Sequence, residues 1–251
     1  MKQQLPVSDS QMQVAIAIQN LSFSYPNRQN VLQDINLTVR AGERVGLIGP
    51  NGSGKTTLFL LTCGILKPTA GKILLFDQPI VVSEFRPEIG LVFQNPNDQL
   101  FLPSVRDDIA FGPENMGLSA TEVEERIHEA ISLTGVQNLV ERVPHNLSGG
   151  EKCMVAIAGV LAMRPQLVLY DEPSANLDMR SRRRLIQFLH TSQQTIMISS
   201  HDLELILEVC DRVLLLDRGQ IIAEGNPHDI MRDRQLMEAH GLETPCSLTI
   251  R

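Results

Sequence analysis

An α/β fold with an inserted helical block is what this sequence predicts, and three observations carry that prediction. Short apolar runs of strand length recur along the chain, separated by segments with helical spacing. One of these runs passes through a glycine-rich loop directly into an apolar helix. Between about residues 95 and 150 the strand-like runs stop, and loops and helices take over.

Each element can be justified in order. Val14, Ile16 and Ile18 alternate with Ala15 and Ala17, the period of a strand. The turn-rich stretch Tyr25–Asn30 follows, then a second alternating run over Ile35–Val39 and a tight connection at Ala41–Glu43. Arg44–Ile48 reads as a short buried strand, and the helix after the glycine-rich loop runs from about Lys55 to Cys63. Ile73–Phe76 and Ile89–Phe93 read as further strands. A helical subdomain is expected over about 95–163, where Val123, Ile127, Ala130 and Ile131 recur at helical spacing within Glu122–Thr134. Strand character returns at Leu167–Tyr170, Thr195–Ser199 and Val213–Leu216. One domain is expected over 13–240, with a flexible tail at 1–12 and a short C-terminal tail at 241–251.

Composition narrows the function classes. With 251 residues, 43% of them hydrophobic and 20% charged, the chain can bury a large core and reads as soluble. A net charge of −7 argues against a general nucleic-acid binder. The longest nearly uncharged apolar run, Val155–Met163, is far short of the ~20 residues that span a bilayer. The opening stretch MKQQLPVSDSQMQ has no apolar signal core. Cys63, Cys153, Cys210 and Cys246 are scattered without metal-ligand spacing, as reduced thiols are. A cytosolic chain is expected, with any membrane role exercised through partners.

Two motifs then point to phosphate chemistry. Gly49-Pro50-Asn51-Gly52-Ser53-Gly54-Lys55-Thr56 fits G-x-x-x-x-G-K-[ST] between a strand and a helix. Its glycines let backbone N–H groups curl around phosphate oxygens, Lys55 supplies charge, and the Thr56 hydroxyl suits Mg²⁺. The run Leu167–Tyr170 ends in Asp171 and Glu172, placing two acids where a strand ends. Asp171 suits Mg²⁺, and Glu172 suits polarising an attacking water. Together they imply a nucleoside triphosphatase. His201 after TIMISS and Gln94 after IGLVF are further polar groups at strand ends. Tyr25 suits either stacking on adenine or a structural place at a strand end.

The stretch Leu147-Ser148-Gly149-Gly150-Glu151 has two readings. Ser148 and Glu151 have the spacing of a capping box, which suffices to start a helix. Two glycines in the first turn work against that helix, since each costs about 1 kcal/mol relative to alanine. A close-approaching anion at the helix start explains them, and it would be a phosphate bound elsewhere.

Taken in order, Tyr25, GPNGSGKT, Gln94, LSGGE, LVLYDEP, Ser174–Asp178 and His201 resemble the ATP-binding cassette ATPases over roughly residues 14–230. The resemblance implies a P-loop nucleoside triphosphatase core, an N-terminal antiparallel β-subdomain, and an inserted α-helical subdomain carrying LSGGE. It implies ATP and Mg²⁺, with ATP held by Tyr25 and by Gly49, Pro50, Asn51, Gly52, Ser53, Gly54, Lys55, Thr56 and Thr57. Mg²⁺ would fall to Thr56, Gln94 and Asp171. Glu172 would be the general base, His201 a γ-phosphate contact, and Gln94 the link between nucleotide state and a membrane partner. Two copies, or this chain and a paralogue, would pair head to tail. Ser148, Gly149, Gly150 and Glu151 would then contact the partner's ATP, with Asp178 at the dimer seam.

A narrower resemblance lies in FQNPNDQLFLPSVRDDIAFGPENMGLS, which is similar to the ATPase subunits of energy-coupling-factor importers. The ending LMEAHGLETPCSL is similar to the cobalt/nickel branch of that group. This implies a transmembrane coupling protein and a substrate-capture membrane protein as partners, at the cytoplasmic face of the membrane. Leu100, Phe101, Leu102 and Val105, flanked by Asp98, Asp107 and Asp108, suit either a partner helix or subdomain core. The rivals are a vitamin importer, another cassette transporter, or a soluble cassette ATPase acting on DNA or ribosomes. The last usually carries coiled-coil or basic extensions that this acidic sequence lacks. Cys153 and Met154 stand where family members usually carry Gln and Arg.

Overall fold

The computed structural model describes residues 13–249 and arranges them as two sheets and a helical block. The tail expected at 1–12 lies outside the described residues. Strands β1 (Val14–Tyr25) and β2 (Arg28–Arg40) form a long hairpin and lead into β3 (Arg44–Ile48), helix α1 (Lys55–Thr62), β4 (Ala70–Leu75), β5 (Gln78–Pro79) and β6 (Ile89–Val92). The inserted block holds α2 (Val105–Asn115), α3 (Ala120–Thr134) and α4 (Gly149–Leu161). Then come β7 (Leu167–Asp171), α5 (Met179–Thr191), β8 (Thr195–Ser199), α6 (Leu203–Val209), β9 (Arg212–Asp217) and β10 (Gln220–Gly225). Short helices α7 (Pro227–Arg232), α8 (Arg234–Ala239) and α9 (Cys246–Thr249) follow.

The antiparallel sheet has the order β2-β1-β4-β5, as the family resemblance implies for an N-terminal β-subdomain. The larger sheet has the order β10-β9-β3-β8-β7-β6, with every pair parallel except β9 with β10. Strands β7 and β8 are buried along their whole length, as parallel strands covered on both faces must be. Their alternate side chains serve two cores. Leu167 and Leu169 pack with Leu58, Phe59 and Leu61 of α1 and with Ile16 and Leu21 of β1. Val168 and Tyr170 pack instead with Val155 and Ile157 of α4 and Leu185 of α5.

Because β3, β6, β7 and β8 run parallel, their C-terminal ends open along one edge of the sheet. That edge receives the loops after Ile48, Val92, Asp171 and Ser199, so it collects the phosphate loop, Gln94, Glu172 and His201.

Three local expectations are corrected. The turn assigned to Tyr25–Asn30 is only Pro26-Asn27, and Arg28–Asn30 already belong to β2 despite their polarity. β5 and β10 are strands beyond those the sequence predicts, because neither Gln78-Pro79 nor Gln220–Gly225 offers a clean apolar alternation. The expected tail at 241–251 is packed down through 249. Leu242 and Leu248 lie against the helical core, and Ser247 donates to Glu204 through its backbone N–H (3.0 Å) and its hydroxyl (2.6 Å). Just before it, His240 Nδ1 lies 2.8 Å from Asp217 Oδ2 at the end of β9.

The position of β3 depends on Gly46, where an added Cβ would sit 2.6 Å from Ile206 Cγ2 of α6. Overpacking there is expected to destabilise the fold by about 1–3 kcal/mol in Gly46→Ala. Denaturant unfolding of that variant, read against Gly46→Ala with Ile206→Ala, checks it, since the second change restores the space.

Candidate active site

The phosphate loop leaves β3 through a point where only glycine fits. A Cβ on Gly49 would lie 1.9 Å from the Leu216 carbonyl oxygen of β9. The loop ends at Gly54, whose left-handed φ of 114° begins α1 without a side-chain cap, leaving N–H groups of the first turn open toward the cleft. Lys55 is buried, and its Nζ donates to the carbonyls of Gly49 (2.8 Å) and Pro50 (3.2 Å). Burial lowers the Lys55 pKa, while Glu172 and Asp171 nearby pull it back up. Thr56 and Thr57 line the same cavity, which measures about 150 Å³.

The two acids at the end of β7 take different positions. Asp171 is buried and accepts a 2.5 Å hydrogen bond from the Ser199 hydroxyl of β8. Glu172 adopts φ 49°, a conformation that costs a non-glycine residue energy and that collects at functional sites. Its N–H donates to both the carbonyl (3.0 Å) and hydroxyl (3.1 Å) of Ser199, which fixes the turn. Its carboxylate Oε2 accepts from the His201 N–H at 2.9 Å. The other oxygen, Oε1, lies 3.3 Å from His201 Nε2 but without hydrogen-bond geometry, and is a buried acceptor without a partner among the described residues. His201 Nε2 is also 2.8 Å from Asn51 Oδ1 and 3.5 Å from Lys55 Nζ. A partnerless carboxylate oxygen beside a lysine, a histidine and a phosphate loop suits a water molecule attacking a phosphoryl group.

The structure thus brings Asn51, Gly52, Gly54, Lys55, Thr56, Thr57, Gln94, Glu172 and His201 to one cavity. Gln94 is exposed at its rim and also faces Cys153 and Pro173 across a neighbouring cleft. Tyr25 does not line the cavity. It packs edge-on against Phe23, with centroids 4.7 Å apart, and its hydroxyl lies 3.3 Å from Thr57 Oγ1. Sequence reasoning missed Ser199, which anchors both acids, and Arg28, which lines the cavity from β2. Their only signal was position, beside a strand end and inside a stretch read as a turn.

Ser148, Gly150, Glu151 and Asp178 line a separate cleft of about 780 Å³, away from Lys55. Ser148 and Glu151 form the full capping box of α4, and those bonds hold the Glu151 carboxyl below the usual range. Asp178 caps α5 by accepting from the Ser181 N–H at 2.7 Å, which likewise lowers its pKa.

The glycine pair is explained unequally. A Cβ on Gly150 would meet Ser181 Oγ at 2.1 Å, so this glycine is required by packing within the chain. A Cβ on Gly149 would meet only Asn176 O, at 3.6 Å. Cys153 and Met154 are both buried in the helical core, where Cys153 Sγ donates to Pro173 O at 3.5 Å and burial pushes its thiol up to about 12. Gly150→Ala is expected to lower the melting temperature by several degrees, about 1–3 kcal/mol of overpacking. Gly149→Ala should not, and Gly150→Ala with Ser181→Gly should recover most of the loss; thermal unfolding of the three variants checks this.

Comparisons with known proteins agree with this geometry. The family model described as ABC transporter matches residues 32–175. The chain is 57% identical over 234 residues to a candidate ABC transporter ATP-binding protein of Synechocystis sp., covering 93% of this chain and 82% of that one. It is 47% identical over 238 residues to the energy-coupling factor transporter ATP-binding protein EcfA of Methanothermobacter thermautotrophicus, covering 92% and 76%. Among solved structures, CbiO1 of Clostridium perfringens, part of the ABC transporter complex CbiONQ, superposes with a TM-score of 0.81 at 36% identity, covering 90% and 94%. The dimeric post-hydrolysis state of the ATP-binding cassette MJ0796, bound to ADP and Pi, superposes at 0.75 and 25% identity, covering 84% and 98%. A phosphate loop, a strained glutamate and a histidine on one sheet edge, in a chain so related, make this protein an ATP-binding and ATP-hydrolysing member of the ABC transporter ATPase family.

Proposed function

We propose that this chain is the ATPase subunit of an energy-coupling-factor importer, at the cytoplasmic face of a membrane and working as a head-to-tail dimer. Among the described residues no helix is long and apolar enough to cross a membrane, so the membrane part falls to partner proteins. The carrying observation is an apolar groove of about 610 Å³ beside the Gln94 loop. Phe85, Phe93, Phe101 and Phe111 stand exposed around it, with the Phe101 and Phe111 rings edge-to-face at 5.1 Å. Such a groove suits an apolar helix of a transmembrane coupling protein, which in turn would work with a substrate-capture protein. The apolar residues of this loop divide between two roles, since Leu100 and Val105 are core while Phe101 faces outward.

The groove is wired to both nucleotide-facing elements. Lys152 Nζ donates to Asn97 Oδ1 at 2.8 Å, and Gln99 Nε2 donates to the Ala156 carbonyl at 3.0 Å. These bonds tie the loop after Gln94 to α4, the helix that starts at Ser148. In this reading Ser148, Gly149, Gly150 and Glu151 meet the ATP of the second subunit, and Asp178 lies at the seam. The relatives named EcfA and the CbiO1 neighbour support the importer class. Cobalt or nickel as cargo rests on the likeness of the ending LMEAHGLETPCSL.

For hydrolysis, Glu172 Oε1 takes the proton of the attacking water, and His201 steadies the γ-phosphoryl group from the side it shares with Lys55. Lys55 and the open N–H groups of the loop neutralise charge as the terminal phosphoryl group is displaced from ADP. Thr56, Asp171 and Gln94 are the oxygen donors suited to Mg²⁺, a small donor set such as that ion accepts when phosphates complete its shell. Bound Mg²⁺ would supply charge neutralisation on the phosphate oxygens.

Glu172→Gln is expected to cut ATP turnover by about 10²-fold or more while ATP still binds. ATPase assays with and without the coupling membrane protein check this, and turnover surviving the substitution removes Glu172 as the base. Phe101→Asp combined with Phe111→Asp should abolish co-purification with the coupling protein while leaving the melting temperature nearly unchanged, since both rings are exposed. Uptake of cobalt and nickel against vitamins by the assembled complex decides the cargo.

A further inference from the structure

Arg28 is a charged group in the cleft that takes no part in the hydrolytic roles of Glu172, His201 and Lys55. It stands on β2 directly across the hairpin ladder from Tyr25, and it lines the cavity with Lys55, Thr56 and Thr57. Its Nη2 donates to the Gly52 carbonyl at 2.8 Å. Both terminal nitrogens lie over Gly52, 3.4 and 3.8 Å from the place a Cβ would occupy. Among the described residues no carboxylate pairs with Arg28, whereas Arg182, Arg183 and Arg212 are all taken up in ion pairs. A guanidinium carries five donors, so most of this one is uncommitted in a cleft built for an anion.

We propose that Arg28 is a second cationic ligand for the polyphosphate of the bound nucleotide, delivered from the β-subdomain rather than from the phosphate loop. The assignment rests on the cleft being the ATP site. Lys55 approaches from the buried side as a point charge, while Arg28 is exposed and presents a planar fork that matches phosphate oxygens. Its bond to Gly52 does two things. It holds the fork over the loop before a ligand arrives, so little side-chain freedom is lost on binding. It also engages the Gly52 carbonyl with a cation, keeping that acceptor from facing an anion. Gly52 itself has φ +76°, and a side chain there would press on the guanidinium.

The test measures affinities of the full chain for MgATP, MgADP and adenosine by calorimetry, in Arg28→Ala, Arg28→Gln and Arg28→Lys. ATP and ADP are expected to bind about 10-fold more weakly to the alanine and glutamine variants, the loss of roughly one charged contact. Lysine should recover part of that loss, adenosine affinity should stay within twofold, and KM should rise more than kcat falls. ATP binding should also become less sensitive to salt, because one screened charge has gone. ATP affinity unchanged in Arg28→Ala overturns the proposal. So does an equal loss in all three variants with a lower ligand-free melting temperature, because Arg28 would then only prop the loop. An unsubstituted chain that binds no ATP overturns the ATP site itself, whereas ATP binding that ignores Arg28 overturns this assignment alone.

Discussion

The close approach of β9 to the start of the phosphate loop constrains the rest of the structure. At Gly49 the loop passes so near the Leu216 carbonyl that no side chain fits, and a few residues earlier Gly46 lets α6 lie directly on β3. Those two contacts fix β3 between β8 and β9. Parallel pairing then carries the alignment across the sheet, from Gly46 opposite Ile198, to Tyr170 opposite Ile198 on its other side, to Val92 opposite Tyr170. The polar residues that follow these strands therefore end level with one another. Lys55, Glu172, His201 and Gln94 come from four separate stretches, yet they need no loop of their own to find each other.

Much of this was legible in the sequence where an element is apolar throughout and sharply bounded. Arg44–Ile48 and Thr195–Ser199 have the expected limits because each is a buried run closed by turn-forming or polar residues. Legibility fails where polarity and conformation part company. Arg28–Asn30 look like a turn but belong to the strand: this end of β2 is exposed, with Arg28 turned over the phosphate loop, so no apolar alternation marks it. β10 alternates exposed and half-buried positions against β9, and its partial cover comes from β2 and from α7 just beyond it, which its own alternation does not announce.

The site follows the same division. Motif residues were readable because phosphate chemistry restricts residue types. Their supports were not, because a supporting bond needs only a polar atom at the right place. Ser199, a serine at the end of an apolar strand, holds Asp171 and the Glu172 N–H at once. Gly150 shows the opposite failure: its residue type was noticed, but the tightest reason for it lies in Ser181, far along the chain. Cys153 and Met154 lose their oddity in the same way. Both are buried in the helical core away from the cleft that Ser148 lines, with Cys153 also reaching the cleft beside Gln94, so apolar side chains fit there.

The conformation of Glu172 has an evolutionary consequence. This residue holds φ 49°, which opposes folding by about 1–3 kcal/mol, and a buried carboxylate oxygen that has no hydrogen bond among the described residues. Glycine at this position would relax the backbone and remove the orphaned acceptor together. Selection for stability alone would drive the site toward such a residue, and a lineage released from its enzymatic duty would have a downhill path to take. A glutamate held there against that gradient is the mark of a fold that keeps part of its stability in reserve for reactivity.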